Sequence, residues 1–451
     1  MTRYLEYKES TIDWIERIPS HWHLRALRRI TKEHRQGYYI DAEYIDSGVK
    51  LARITDLHDN GRIEYSEMPY VKITSEHEKI YLIQNGDFLF PRTGSIGLLG
   101  FVSNPERAVY ASYLIRFRFK DKEVLPDYLY YFFISDAFKS GVFSDLHGGV
   151  NQNIHAENIK NQSIPFPDSV DEQKNIIKYL KNKTGLIETF ISNRQNQIDL
   201  LREQLRKKIF TSLTKGLINT DFKPSDLPWF TEIPLSWEMY KFNAAIKLLH
   251  GFQFRDNHFK EQGVKVAKIT QLKADGRLDL SESSLVDESF LVTLKKKIIK
   301  NGDILMALTG GTIGKIIRVK NLDEEVLQNY RVGKFIPKDT RTLDKDFMFW
   351  VLSSEFTFAQ ILFLQRETGQ PNIGIGDFSK MFFPMPNTLE EQREIAAYIV
   401  EQKNETNTLI SKYKKQIDLM QEYRTAIISQ AVTGKIDVRE WHPKTNNKLQ
   451  S

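Results

Sequence analysis

Gly310-Gly311-Thr312-Ile313-Gly314-Lys315 is the stretch of this chain closest to a catalytic signature. A glycine loop closing on a lysine cradles nucleotide phosphates, and a following Ser or Thr holds magnesium. Here three residues, not four, separate Gly310 from Gly314, and Ile316 stands where the hydroxyl is needed. The matching stretch earlier in the chain, Thr93-Gly94-Ser95-Ile96-Gly97-Leu98, has no lysine. Gly374-Ile375-Gly376 opens like a dinucleotide fingerprint, but Ser379 replaces the third glycine. Gly94–Gly97 and Gly311–Gly314 have the spacing of a GXXG nucleic-acid clamp, yet they fall between strand-like segments, not helices. His21-Trp22-His23 offers metal ligands without a second cluster to complete a site. Asp221-Phe222-Lys223 and Glu401-Gln402-Lys403 are fragments of a nuclease motif, one in a linker and one on a long helical stretch. No Asn/Asp-Pro-Pro-aromatic run is present to hold an extruded adenine, and there are no cysteines to serve as nucleophile, disulfide or zinc ligand. The expectation is a chain with no catalytic residues, no metal and no cofactor of its own.

Recognition is better represented. Pro91-Arg92-Thr93-Gly94-Ser95-Ile96-Gly97 and Leu308-Thr309-Gly310-Gly311-Thr312-Ile313-Gly314 each follow a strand-like segment. A second polar loop comes later in each half: His147-Gly148-Gly149-Val150-Asn151-Gln152-Asn153-Ile154 and Thr368-Gly369-Gln370-Pro371-Asn372-Ile373. Glycine lets a backbone approach another surface closely. Arg, Asn, Gln, Ser and Thr are the side chains that read base edges and phosphates. The candidate DNA contacts are therefore Arg92, Thr93, Ser95, Asn151, Gln152 and Asn153 in the first half and Thr309, Thr312, Gln370 and Asn372 in the second. Arg53 and Lys268, at matching positions, are candidate phosphate contacts. Ordinary turn chemistry accounts for such loops too, and a structural turn would recur just as they do.

The elements that must position these loops are written twice. Trp14-Ile15-Glu16-Arg17-Ile18-Pro19 returns 215 residues later as Trp229-Phe230-Thr231-Glu232-Ile233-Pro234. Asn85-Gly86-Asp87 returns as Asn301-Gly302-Asp303, Pro165-Phe166-Pro167 as Pro384-Met385-Pro386, and Glu172-Gln173 as Glu391-Gln392. So long a period means two copies of a domain-sized unit and not a solenoid. Each copy opens with a mixed part, strand-like at Asp87–Phe90 and Tyr113–Phe119 and helical over Leu125–Lys139 and Leu343–Ala359. Each closes with a proline-free stretch, 171–215 and 390–433, begun by acids that suit a helix N-terminus. Leu180, Thr184, Ile187, Ile191, Ile198, Leu201, Leu205 and Ile209 make one seam, and Ile399, Thr406, Ile410, Tyr413, Ile417, Met420 and Ile427 the other. These steps of three and four predict a coiled-coil pair of helices roughly 65 Å long at 1.5 Å per residue.

The whole chain bounds these readings. Its 451 residues exceed one ordinary core. The longest apolar runs fall short of the roughly 20 residues of a membrane helix, and MTRYLEYKES lacks the apolar core of a signal peptide. A net charge of +6 permits nucleic-acid binding without requiring it. A cytoplasmic, membrane-free protein is expected.

Two variable mixed parts, each followed by Pro-x-Pro, an acidic-Gln step and a long helix, resemble the DNA specificity subunit of type I restriction–modification systems. Trp14–Pro19 with Trp229–Pro234, the two Gly-Asp steps, and the helix ends Leu213-Thr214-Lys215-Gly216 and Val432-Thr433-Gly434-Lys435 carry the resemblance over nearly the whole chain. It implies an α+β fold in which two pseudo-symmetric mixed α/β target recognition domains are separated by two long antiparallel helices. The expected divisions are a first recognition domain at 1–165, a first spacer helix at 166–218, a linker at 219–228, a second recognition domain at 229–383, a second spacer helix at 384–436 and a tail at 437–451. The resemblance further implies double-stranded DNA and two methylation subunits as partners, with nuclease/translocase subunits able to join. S-adenosylmethionine, ATP and magnesium would sit on those partners. A dimeric reader of straight DNA places its half-sites about one turn apart, roughly 34–36 Å, which leaves an unread spacer of roughly 5–8 bp. A protein–protein scaffold with a coiled-coil rod, and a specificity subunit that has lost its partners, are the alternatives at this point.

Overall fold

The computed structural model describes residues 2–40, 43–92, 97–120, 124–144, 154–218, 220–225, 227–368 and 372–443, the side chains of 366–368 excepted. The chain forms two compact units, Met1–Gln195 with Tyr413–Ser451, and Asn196–Lys412.

The first unit contains β1 (Tyr7–Ile12), β2 (Ile15–Pro19), β3 (Trp22–Ala26), α1 (Leu27–Ile30), β4 (Thr31–Gln36), β5 (Val49–Ala52), β6 (Tyr70–Val71), α2 (Ser75–Tyr81), β7 (Phe88–Pro91), β8 (Gly100–Phe101), β9 (Ala108–Tyr110) and β10 (Leu114–Phe119). These are followed by α3 (Pro126–Phe133), α4 (Asp136–Ser144), α5 (Ala156–Asn161), β11 (Ser163–Pro167) and the first 26 residues of α6 (Val170–Lys215). The central sheet has the order β4-β10-β7-β8, beside a smaller sheet β6-β5-β9 and the ribbons β1-β2 and β11-β3.

In the second unit, β12 (Phe222–Pro224), β13 (Glu232–Pro234), β14 (Glu238–Lys241), α7 (Phe242–Ala245), β15 (Ile246–His250), β16 (Phe259–Lys260), β17 (Val264–Ala267), β18 (Ser284–Val286), α8 (Ser289–Thr293) and β19 (Ile298–Ile299) precede β20 (Ile304–Ala307), β21 (Ile316–Arg318), β22 (Val326–Gln328) and β23 (Val332–Pro337). Then come α9 (Lys345–Leu352), α10 (Glu355–Thr368), α11 (Ile375–Phe378), β24 (Phe382–Met385) and α12 (Leu389–Val432), whose last residues return to the first unit. Its central sheet, β15-β23-β20-β21, repeats the connectivity of the first. In both, a second sheet contains one parallel pair, β5 with β9 in the three-stranded sheet β6-β5-β9 and β17 with β22 in the five-stranded sheet β16-β18-β17-β22-β19.

The helices α6 and α12 run antiparallel within each unit. In the first, Asn175 donates to the Arg439 carbonyl and Arg194 stacks 4.7 Å from the Tyr413 ring centroid, so one index rises as the other falls. In the second, Lys208 donates to Gln402, and Gly216 lies beside Glu391. The seam residues are buried or half-buried throughout, while Leu186, Leu200, Val400 and Leu419 face solvent. A two-helix rod shields only one stripe of each helix, so its middle seam positions keep some exposure.

The expected single helices over Leu125–Lys139 and Leu343–Ala359 are each broken into two, α3 with α4 and α9 with α10. Ser135 Oγ donates to the Phe132 carbonyl at 2.6 Å and accepts from Phe138 N. Ser354 Oγ does the same with Val351 O and Thr357 N. A serine hydroxyl that satisfies the last carbonyl of one helix and the first amide of the next lets the chain bend without orphaning either.

The repeated motifs turn out to be fasteners. Trp22 Nε1 donates to Glu172 Oε1 at 2.9 Å, and Trp237 Nε1 to Glu391 Oε1 at 2.8 Å. Gln173 clamps the Pro167 carbonyl and the Leu125 amide, and Gln392 clamps the Pro386 carbonyl and the Asp344 amide. Each glutamine thus ties the end of the Pro-x-Pro strand to the start of the aromatic helix. The Gly-Asp step is equally structural. Asp87 accepts from Gln84 N and pairs with Arg118, while Asp303 accepts from Lys300 N and pairs with the buried Lys334. Among the described residues, no single helix is long and apolar enough to cross a membrane.

Candidate nucleic-acid interface

Strand order decides where the polar loops meet. In the first unit β4 and β7 end at the edge of the sheet where the intervening β10 begins. The chain leaving β7 therefore meets the turn that enters β10. Arg92 N donates to the Tyr113 carbonyl at 2.8 Å, and the Arg92 carbonyl accepts from Ile154 N at 2.8 Å. The late polar loop thus ends beside the early one. The chain leaving β4 joins them, Gln36 Nε2 donating to Ser112 O at 3.1 Å and Gly37 N to Leu114 O at 2.9 Å. A Cβ at Gly37 would lie 2.1 Å from the Ala111 oxygen, so only glycine permits this crossing.

The second unit repeats the arrangement. Leu308 N donates to Arg331 O and its carbonyl accepts from Ile373 N, both at 2.9 Å, while Thr309 and Asn372 form a bridge. Leaving β15, His250 Nδ1 lies 3.3 Å from the Tyr330 carbonyl oxygen, and Phe252 O accepts from Tyr330 N. Strand register pairs Arg92 with Leu308, one position off the alignment of Arg92 with Thr309 that the two sequences suggest.

Of the predicted contacts, Arg92, Thr309, Thr312 and Asn372 are described and lie at or beside this edge. Thr93, Ser95, Asn151, Gln152, Asn153 and Gln370 lie outside the described residues. Thr309 and Thr312 carry buried hydroxyl oxygens with no hydrogen-bond partner among the described residues. Such groups are costly to leave unpaired. Arg53 and Lys268 sit elsewhere, directly after β5 and β17, where each opens a short turn. Arg53 is locked to Asp56 through Nε and Nη2 and also reaches the Glu67 carbonyl. Lys268 Nζ lies 4.1 Å from the Phe259 ring centroid and donates to Ser284. Both cations already have partners inside the protein.

The edge also holds residues that sequence reasoning passed over. Tyr113 is 61% exposed in the first unit, and Arg331 is exposed at the corresponding place in the second. Their signal was a charged or aromatic residue in the turn entering an apolar strand, without the Gly or Pro that draws attention to a loop. The His21-Trp22-His23 cluster is accounted for by Glu172, which receives His21, and by Asp168, which pairs with His23. Among the described residues no group of three His, Asp or Glu side chains is placed to hold a metal.

The family model for the type I restriction modification DNA specificity domain matches twice, over residues 30–200 and 235–419. The chain belongs to the type I restriction–modification DNA specificity family. It is a DNA-binding specificity subunit with two repeated domains. The chain is 27% identical over 453 residues to the type I restriction enzyme MjaVIII specificity subunit of Methanocaldococcus jannaschii, covering 96% of this chain and 97% of the relative. Its fold matches a chain solved in a study of complex assembly and conformational transition of the type I R-M system, with a TM-score of 0.68 at 15% identity over 93% of this chain and 99% of that one. It also matches the HsdS subunit from Thermoanaerobacter tengcongensis, with a TM-score of 0.51 at 15% identity over 93% and 98% of the two chains.

Proposed function

We propose that each unit of this specificity subunit reads one half of a split DNA site with the sheet edge just described, and that the chain itself carries out no chemistry. The observation that carries this reading is the construction of the same loop-and-turn edge twice, on sheets of identical connectivity. The residues at the edge differ between the units, as two different half-sites would require. Arg92, Thr93, Ser95, Asn151, Gln152 and Asn153 are the proposed contacts of the first domain, and Thr309, Thr312, Gln370 and Asn372 those of the second. The helices dock two methylation subunits. What supports this is the apolar surface each unit leaves on its rod, Leu186, Leu419 and Tyr423 in the first and Leu200, Val400 and Leu409 in the second. Those partners bring S-adenosylmethionine, nuclease/translocase subunits bring ATP and magnesium, and the complex works in the cytoplasm.

Exchanging residues 1–165 for the corresponding part of a relative should change one half of the methylated sequence and leave the other intact. Sequencing of methylated adenines reads this directly, and a change in both halves would end the modular reading. The purified chain alone should transfer no methyl group from labelled S-adenosylmethionine to DNA. Transfer that co-purifies with the chain through successive columns would contradict a purely recognitional role.

A further inference from the structure

The arginines of the second unit have two fates. Among the described residues, Arg202, Arg206, Arg277, Arg318, Arg341 and Arg393 each pair with a carboxylate. Arg255 and Arg331 do not, and of these Arg331 belongs to the edge described above. Arg255 lies on the chain leaving β15, three residues beyond Phe252, whose carbonyl accepts from Tyr330 N. Arg331 lies in the turn entering β23.

That turn is unusually well fixed. Val332 N closes it onto the Asn329 carbonyl at 3.0 Å, and the Asn329 side chain accepts from Arg331 N at 3.1 Å. On one flank Tyr330 N is bonded to Phe252, and on the other Arg331 O is bonded to Leu308. Beneath it the fully buried Gln328 donates to the Leu249 and Val332 carbonyls. The Arg331 side chain is ordered in turn by its neighbour. Its Nε donates to the Tyr330 hydroxyl at 2.7 Å, and its guanidinium carbon lies 5.3 Å from the Tyr330 ring centroid.

We propose that Arg331, braced by Tyr330, reads a guanine in the major groove of the second half-site. This rests on the reading that the sheet edge faces DNA. With Nε engaged, the two terminal amino groups remain as a planar fork, and guanine O6 and N7 present two acceptors that match such a fork. A phosphate accepts such a fork as well, but it carries no sequence information and is also served by the point charge of a lysine. A rigid turn and a pre-oriented guanidinium suit base discrimination, because little rotamer freedom is left to lose on binding. The equivalent place in the first unit holds Tyr113, whose carbonyl takes the same bond from the β7 side. Tyrosine has no such fork, so this turn distinguishes the two half-sites.

The test uses the full chain assembled with its methylation subunits, selecting duplexes from a randomised library. R331A is expected to reduce the preference for guanine at one position of the second half-site by about tenfold or more, the value of a bidentate contact, with the first half-site unchanged. R331K should lose the same preference, since an ammonium keeps the charge without the fork. An equal loss of affinity across all sequences, with the selected motif intact, would identify a phosphate contact and overturn the proposal. So would guanine preference retained by R331K, or no change in R331A. A parallel variant carrying Thr309→Ala and Asn372→Ala separates the two levels of the argument. If it alters the second half-site while R331A does not, only the Arg331 assignment falls. If neither alters it, the edge does not face DNA.

Discussion

Glu172→Ala is expected to lower the unfolding free energy of the first unit by about 3–5 kcal/mol, against about 1–2 kcal/mol for Glu391→Ala in the second. The two residues occupy matching positions at the start of the long helices, but they do unequal work. Glu172 is buried and accepts from Tyr4 Oη at 2.8 Å, from Trp22 Nε1 at 2.9 Å and from His21 Nε2 at 3.0 Å. Glu391 accepts from Trp237 Nε1 alone among the described side chains, and it is half-buried. Removing Glu172 leaves the Tyr4 hydroxyl and the Trp22 indole N–H inside the protein without an acceptor, each at a cost of about 1–3 kcal/mol. His21 is 43% exposed and recovers its loss from water. Burial and the neighbouring Glu172 carboxylate push the Tyr4 phenol above its ordinary range, so it stays protonated and remains a donor. For a unit of this size, 1 kcal/mol corresponds to about 2–4 °C in Tm. Calorimetry of the full chain should therefore show a drop of about 10 °C for the unit carrying Glu172→Ala and a few degrees for Glu391→Ala. Equal drops would show that the extra donors gathered by Glu172 contribute nothing net.

The same pair of glutamates shows what the sequence does and does not disclose. Their recurrence beside Gln173 and Gln392 is plain in the one-dimensional pattern, because a duplicated unit keeps its fasteners in order. What they fasten is invisible there, since Trp22 lies 150 residues from Glu172 and only the fold brings them together. The seams of α6 and α12 were legible because a rod buries residues at a fixed period. The breaks at Ser135 and Ser354 were not, because a serine within an aromatic run reads as one more tolerated helical residue until its hydroxyl is seen bridging two helix ends. The glycine loops announced themselves by composition. The Asn329–Val332 turn did not, as it is held by an asparagine side chain and by neighbouring strands and contains neither glycine nor proline. Strand order is what puts Arg331 beside Thr309 and Asn372, and strand order is a property of the sheet that no local pattern encodes.

Gly434→Ala is expected to cost about 3–4 kcal/mol and Gly216→Ala about 1 kcal/mol, although the two glycines do the same thing in the backbone. Each ends a long helix in the left-handed region, with φ of 71° and 74° respectively. An alanine there pays about 1–2 kcal/mol for its Cβ. The surroundings then differ. At Gly216 the added carbon would lie 3.3 Å from the Trp237 ring, which can yield by a few tenths of an ångström. At Gly434 it would lie 2.3 Å from Pro19 Cδ and 2.6 Å from Cγ, atoms of a ring fused to its own backbone. The carbonyl of Gly434 also accepts from the Tyr7 hydroxyl at 3.1 Å, so the chain cannot swing aside without breaking that bond. Overpacking of this kind adds about 1–3 kcal/mol. Because α12 ends here against the core that carries the first recognition edge, the penalty should surface as faster hydrogen exchange over residues 427–438 and in β1 to β3, with the second unit unaffected. Matching exchange rates in the two variants would mean that left-handed strain alone sets the cost and that Pro19 moves freely to accommodate the methyl group.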